Sequence, residues 1–114
     1  MSAGQILDVP DGHRRIVVSI LRAHLPPGSS VWVFGSRAAG RARTYSDLDL
    51  AIDAGRPLTL DESAQLREGF SESELPYRVD LVDWQAIGAD FRRSIAVARV
   101  LLFEAAERQP SSGA

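Results

Sequence analysis

Ile16, Val17, Ile20 and Leu21 recur at the three-and-four spacing of an amphipathic helix. Pro10-Asp11 marks its start, because proline is tolerated where the first N–H groups have no partner in the helix. Pro26-Pro27-Gly28 marks its end. The pattern then changes period. Ser30 to Phe34 is dense in β-branched and aromatic residues and predicts a buried strand. Arg37 to Ala42 is expected to form a short helix. Asp47 to Asp53 alternates as a second strand, with Leu48, Leu50 and Ile52 on one face and Asp47, Asp49 and Ala51 on the other. Thr59 and Glu62 have the spacing of a capping box, so a helix is expected from Leu60 to about Phe70, offering Leu60, Ala64 and Leu66 to the core. Tyr77 to Trp84 reads as a third strand, with Tyr77, Val79 and Leu81 sharing one face and Asp80 and Val82 the other. Asp83 is expected to cap a helix from Gln85 to about Val97 whose inward residues are Ile87, Phe91 and Ile95. Arg99 to Phe103 predicts a last strand, against a competing reading in which the helix runs on to Glu107. The ends carry little pattern: Met1 to Val9 is expected to fray, and Gln109 to Ala114 has the composition of a disordered tail.

Composition narrows the class without changing this picture. The 114 residues suit one domain, taken as 1–108, with 109–114 as the tail. A composition of 45% hydrophobic and 25% charged is ordinary for a globular protein. The net charge of −2 argues against a nucleic-acid binder that works by general electrostatics, so no direct nucleic-acid binding is expected. Without cysteine there is neither a disulfide framework nor a thiolate metal site. No apolar run approaches the ~20 residues of a membrane helix, and the first residues lack the pattern of a signal peptide. A soluble cytoplasmic protein with no membrane partner is the resulting expectation.

The candidate chemistry lies between the first two strands. An apolar run ends at Gly35-Ser36, a basic segment containing Arg37, Arg41 and Arg43 follows, and Ser46 precedes Asp47-Leu48-Asp49. This is not a P-loop, which needs Gly-Lys-Ser/Thr, nor a nucleophile elbow, which needs Gly-x-Ser-x-Gly. The Gly-x-Gly-x-x-Gly of a dinucleotide fold is missing too. What remains is a strand end whose backbone donors and Ser36 hydroxyl, beside Arg37, suit a phosphate, and where Gly35 lets the backbone approach a ligand. Arg41 and Arg43 read as solvated loop residues, and His13 and His24 as lone side chains near an apolar stripe. Asp53, Asp61 and Asp83 read as strand-end or cap residues. Taken alone, Asp47 and Asp49 suit a solvated strand face as well as a cation site. Asp80 alters that balance, because a carboxylate within Val79-Asp80-Leu81-Val82 is costly without a partner. If the two strands are neighbours, three carboxylates meet. Hard oxygen ligands of this kind suit Mg²⁺, which binds through a few carboxylates plus substrate phosphates and supports two-metal phosphoryl chemistry. Asp80 is also placed to serve as a general base.

Gly35-Ser36, then Asp47-x-Asp49, then Asp80 on a later strand resembles the nucleotidyltransferase superfamily that includes DNA polymerase β. The form Gly35-Ser36-Arg37-Ala38-x-Gly40 followed by Ser46-Asp47-Leu48-Asp49-Leu50 is most similar to its minimal (MNT or MntA-like) members, over nearly the whole chain from the first helix to about Phe103. One small departure is Ala39, in a segment that often reads Arg-Ala-Arg/Lys-Gly.

The resemblance implies an α/β (α+β) fold, a small mixed sheet with helices packed on one side, and Mg²⁺-dependent use of a nucleoside triphosphate. Asp47 and Asp49 would hold two Mg²⁺ ions, Asp80 would complete the ion site that activates the acceptor hydroxyl, and Gly35 and Ser36 would hold the triphosphate. Arg37 and Ser46 join them as candidate nucleotide-binding residues. Minimal members are commonly the antitoxin of a HEPN-type toxin, transferring AMP from ATP to a tyrosine hydroxyl of that partner. Larger relatives carry a helical domain for the acceptor. Here little chain follows the last strand, so the acceptor is expected from a partner. Two alternatives are an antitoxin that neutralises by occlusion alone, and a nucleotidyltransferase of the aminoglycoside-modifying type acting on a small molecule.

Overall fold

The structure, a computed structural model, describes residues 8–106. The proposed tail at 109–114 and most of the stretch expected to fray lie outside the described residues. Asp8 and Val9 depart from that expectation. The Asp8 N–H donates to the Arg37 carbonyl at 3.0 Å, and Val9 is buried.

Pro10 precedes α1, Asp11–His24, and Leu25 closes it with an N–H donated to the Leu21 carbonyl. Val17 and Leu21 are fully buried, with Ile16 and Ile20 half-buried beside them. Four strands follow in a mixed sheet: β1 Ser30–Phe34, β2 Leu48–Asp53, β3 Val79–Asp83 and β4 Val100–Glu104, in the spatial order β3-β2-β1-β4. β1 is antiparallel to both β2 and β4, while β2 and β3 are parallel. A parallel pair needs a crossover, and α2, Leu60–Ser71, supplies it. The last element is therefore a strand, and the extended-helix alternative is overturned.

The sequence alternation on β2 sets the layering. Leu48, Leu50 and Ile52 join Val31 and Val33 of β1 in the core, together with Val17, Leu21, Leu66 and Phe70 from α1 and α2. Each such fully buried aliphatic side chain contributes about 1.5–3 kcal/mol. The opposite face carries Trp32 and Phe34, with Trp84 and Phe91 in edge or tilted ring contact with them.

Three expectations about helices are corrected. Leu60 is 89% exposed and Ala64 is exposed, so of the three residues offered only Leu66 reaches the core, joined by Phe70 one turn later. Capping decides this: Thr59 Oγ1 accepts from the Glu62 N–H at 3.0 Å and Glu62 Oε1 accepts from the Thr59 N–H at 2.8 Å, which sets Leu60 at the solvent-facing first position. The segment Arg37 to Ala42 is not a helix. A single 3-10 turn spans Gly35–Arg37, two residues earlier than expected, and Gly40 at φ +72° ends the following turn. The helix expected from Gln85 is divided into a 3-10 turn at Trp84–Ala86 and α3, Ala89–Ala96, with Ile87 and Gly88 extended between them. Phe91 is consequently 44% exposed, and only Ile95 of the expected inward trio is fully buried.

Candidate active site

Gly35 follows β1 and opens the 3-10 turn with φ +76°, a conformation L side chains rarely adopt. A Cβ built there would collide with Asp49 Oδ2, so the 3-10 turn rests directly against that carboxylate. Asp49 is opposite Phe34 in the β1–β2 pairing and opposite Asp80 in the parallel β2–β3 pairing. Strand register thus places two carboxylates side by side on the sheet face away from the core. Asp47 lies one residue before β2, where the Leu48 N–H bonds the Arg78 carbonyl at 2.9 Å.

The three carboxylates act on one another. Asp49 has its pKa raised above the ordinary value by burial first, then by the charges of Asp80 and of Asp47. Arg78, just before β3, is the nearest counter-charge. Its Nη2 is 3.4 Å from Asp47 Oδ2 and its Nε is 3.6 Å from Asp80 Oδ1. Among the described residues, no three His, Asp or Glu side chains are gathered closely enough to form a ready-made cation cage. The donor set is nevertheless of the hard carboxylate kind that suits Mg²⁺, with Asp49 facing Asp80 across β2 and β3.

Arg37 is placed differently from the phosphate contact expected of it. It is 3% exposed, and its guanidinium faces the interior of the loop. Nη1 donates to the Asp8 carbonyl at 2.9 Å, Nε to the Ser46 carbonyl at 3.1 Å, and Nη2 to the carbonyls of Ser46 at 2.8 Å and Thr44 at 3.1 Å. Its charge also lies 3.9 Å from the centre of the Tyr77 ring. Tyr77 in turn has its hydroxyl 2.9 Å from His13 Nδ1, and burial raises its pKa. Arg37 therefore fixes the backbone that leads into Asp47. Ser46 belongs to the same assembly: its carbonyl receives Arg37, and its Oγ accepts the Arg43 N–H at 2.8 Å. His13 and His24 are not brought to the carboxylates.

Asp83 and Asp53 are structural, as their positions suggested. Asp83 accepts the N–H groups of Gln85 at 3.1 Å and Leu58 at 2.8 Å. Asp53 Oδ1 accepts the Gly55 N–H and the Gln85 side-chain amide, each at 2.9 Å. Beside Asp80 runs an open groove of about 480 Å³ lined by Arg67, Phe70, Tyr77, Arg78 and Asp80. Neither Arg78 nor this groove is marked by the sequence pattern, which gives the alternation from Tyr77 to Val82 but not the strand that lies beside it.

The family profile described as polymerase beta nucleotidyltransferase matches residues 18–108, which include all three carboxylates and the Gly35 turn. The chain is 47% identical over 98 residues to a Haemophilus influenzae protein named "Probable protein adenylyltransferase MntA", covering 86% of this chain and 85% of the relative. In three dimensions it is similar to a toxin–antitoxin structure with AMP-PNP, at a TM-score of 0.69 and 24% identity, over 84% of this chain and 74% of the other. It is also similar to a complex of a tri-AMPylated Shewanella oneidensis HEPN toxin with MNT antitoxin, at a TM-score of 0.61 and 24% identity, over 79% and 68% of the two chains. At that identity the two solved structures establish the fold.

Proposed function

From the premise that this chain belongs to the polymerase beta nucleotidyltransferase family, we propose that it transfers AMP from ATP to a hydroxyl, a tyrosine hydroxyl, of a HEPN-type toxin partner, in a Mg²⁺-dependent reaction, and so acts as an antitoxin. The observation that carries this reading is the pairing of Asp49 with Asp80 on adjacent parallel strands, directly against the Gly35 turn. The relative named as a protein adenylyltransferase and the neighbour solved with a tri-AMPylated HEPN toxin support the choice of AMP and of a protein acceptor.

Each residue has a task in this reading. Asp47 and Asp49, with Asp80, would hold Mg²⁺, and two ions bound there would supply positive charge at the triphosphate and lower the pKa of the acceptor hydroxyl. Gly35 and Ser36 present the turn on which the triphosphate lies, since a bulkier residue at 35 would fill the space beside Asp49. Arg37 holds the carbonyls of Thr44 and Ser46 and keeps Asp47 in line. The acceptor oxygen forms a bond to the α-phosphorus, the bond from that phosphorus to the bridging oxygen breaks, and pyrophosphate leaves. Asp80 receives the hydroxyl proton.

Co-expression with the neighbouring gene product, followed by intact mass measurement of that partner, tests the reading. The expected result is a mass increase by one or more AMP groups, lost by about 100-fold or more in Asp49→Asn, as befits removal of an ion ligand at the reacting centre. An unmodified partner that is still neutralised by Asp49→Asn would replace this reading with neutralisation by occlusion.

A further inference from the structure

Arg78 is the cation nearest two of the three carboxylates, and its side chain is 76% exposed. Among the described residues its guanidinium has no hydrogen-bond or ion-pair partner other than Asp47 and Asp80. Its distances to them, 3.4 and 3.6 Å, are loose for an arginine–carboxylate pair, which at full strength is shorter and bidentate. The arginine also borders the open groove shared with Arg67 and Tyr77, so a long side chain has somewhere to swing. Those features describe a counter-ion that is present but weakly held.

We propose that Arg78 is an exchangeable internal counter-ion: its guanidinium competes with a divalent cation for Asp47 and Asp80 and moves toward the groove when the cation enters. The inference rests on the reading of these carboxylates as the ion site. Its physical basis is that a guanidinium and a divalent ion repel at such spacing, while one pair of carboxylate oxygens cannot serve both. Among the described residues that line the groove, none but Asp80 is an acid that could receive the displaced guanidinium; a triphosphate would offer it a partner. Arg78 thereby favours entry of the ion together with the nucleotide over entry of the ion alone.

The test is titration with Mn²⁺, followed by the electron paramagnetic resonance of the unbound ion, with neither nucleotide nor partner present. Arg78→Gln is expected to bind Mn²⁺ about three- to tenfold more tightly than the unaltered protein, and Arg78→Lys to fall between them. Asp49→Asn is expected to abolish binding in either background, which locates the ion at these carboxylates. Equal or weaker binding by Arg78→Gln, with binding by the unaltered protein intact, overturns the role of Arg78 alone. Absence of binding in all variants overturns both this role and the reading of the carboxylates. The exposure of Arg78 predicts unchanged thermal midpoints for both variants, and the lysine variant keeps the charge if glutamine disturbs the strand.

Discussion

At Gly35 a backbone angle and a side-chain collision impose the same demand. Alanine at this position must adopt φ +76° and also displace the Asp49 carboxylate. Gly35→Ala is expected to cost about 1–3 kcal/mol of stability, measured by denaturant unfolding, and to reduce AMP transfer further by shifting Asp49. A variant with unaltered stability and transfer would show that the turn has room to relax. Gly35 was legible in the sequence because a glycine after a β-branched run has few structural explanations. Arg37 was not. Its position beside Ser36 suggested a ligand contact, but its actual acceptors are carbonyls of Asp8, Thr44 and Ser46, and no pattern of residue types encodes where backbone oxygens point. Arg78 was hidden for a related reason: its meeting with Asp47 depends on which strands become neighbours.

Helix α2 shows both what local sequence determines and where it stops. The Thr59–Glu62 box was visible as a spacing and forms as a reciprocal pair of hydrogen bonds. The ion pair that strengthens it, Arg56 to Glu62 with two contacts of 2.8 Å, was not visible, because it reaches across a turn. The Arg56 guanidinium and then the Thr59 N–H hold the Glu62 carboxyl well down, at about 2. A carboxylate whose folded pKa lies below its unfolded value contributes stability above the unfolded value of 4.5, and that contribution is lost as pH falls toward 2. Glu62→Gln should therefore flatten the acid limb of the stability curve between about pH 4.5 and 2, while lowering stability at neutral pH by about 0.5–1 kcal/mol. Thermal melts across that range check both. The same locality explains the misplaced α3. An apolar spacing of four predicted an unbroken helix, but the Trp84 ring is held against Trp32 and the Trp84 carbonyl accepts from Arg92 Nε, and the chain must open at Ile87 to allow both.

Across the whole molecule, the three acids were each identifiable, and β2 and β3 carried enough alternation to set their faces. Their proximity was conditional on the order β3-β2-β1-β4, which only the packed sheet supplies. That assembly has a thermodynamic consequence. Asp49 is held in a setting that raises its pKa, so its charged form opposes folding near neutrality, and the opposition is relieved as pH falls through the raised value toward 3.8. Asp49→Asn removes this opposition. In the absence of divalent ions the variant is expected to melt about 2–4 °C higher than the unaltered protein while losing transfer. A lower melting point would mean that the Asp49 carboxylate makes favourable contacts that outweigh the repulsion.

The edge position of β3 carries a second meaning. An outermost strand offers its backbone to any other chain in extended form, and proteins discourage such pairing by placing charge along the border. β3 is flanked by Arg78 and bears Asp80 and Asp83 among valine and leucine. The acid proposed to receive the hydroxyl proton is thus also suited to guard against self-adhesion. An acid at position 80 thus has a use on this border that does not depend on catalysis.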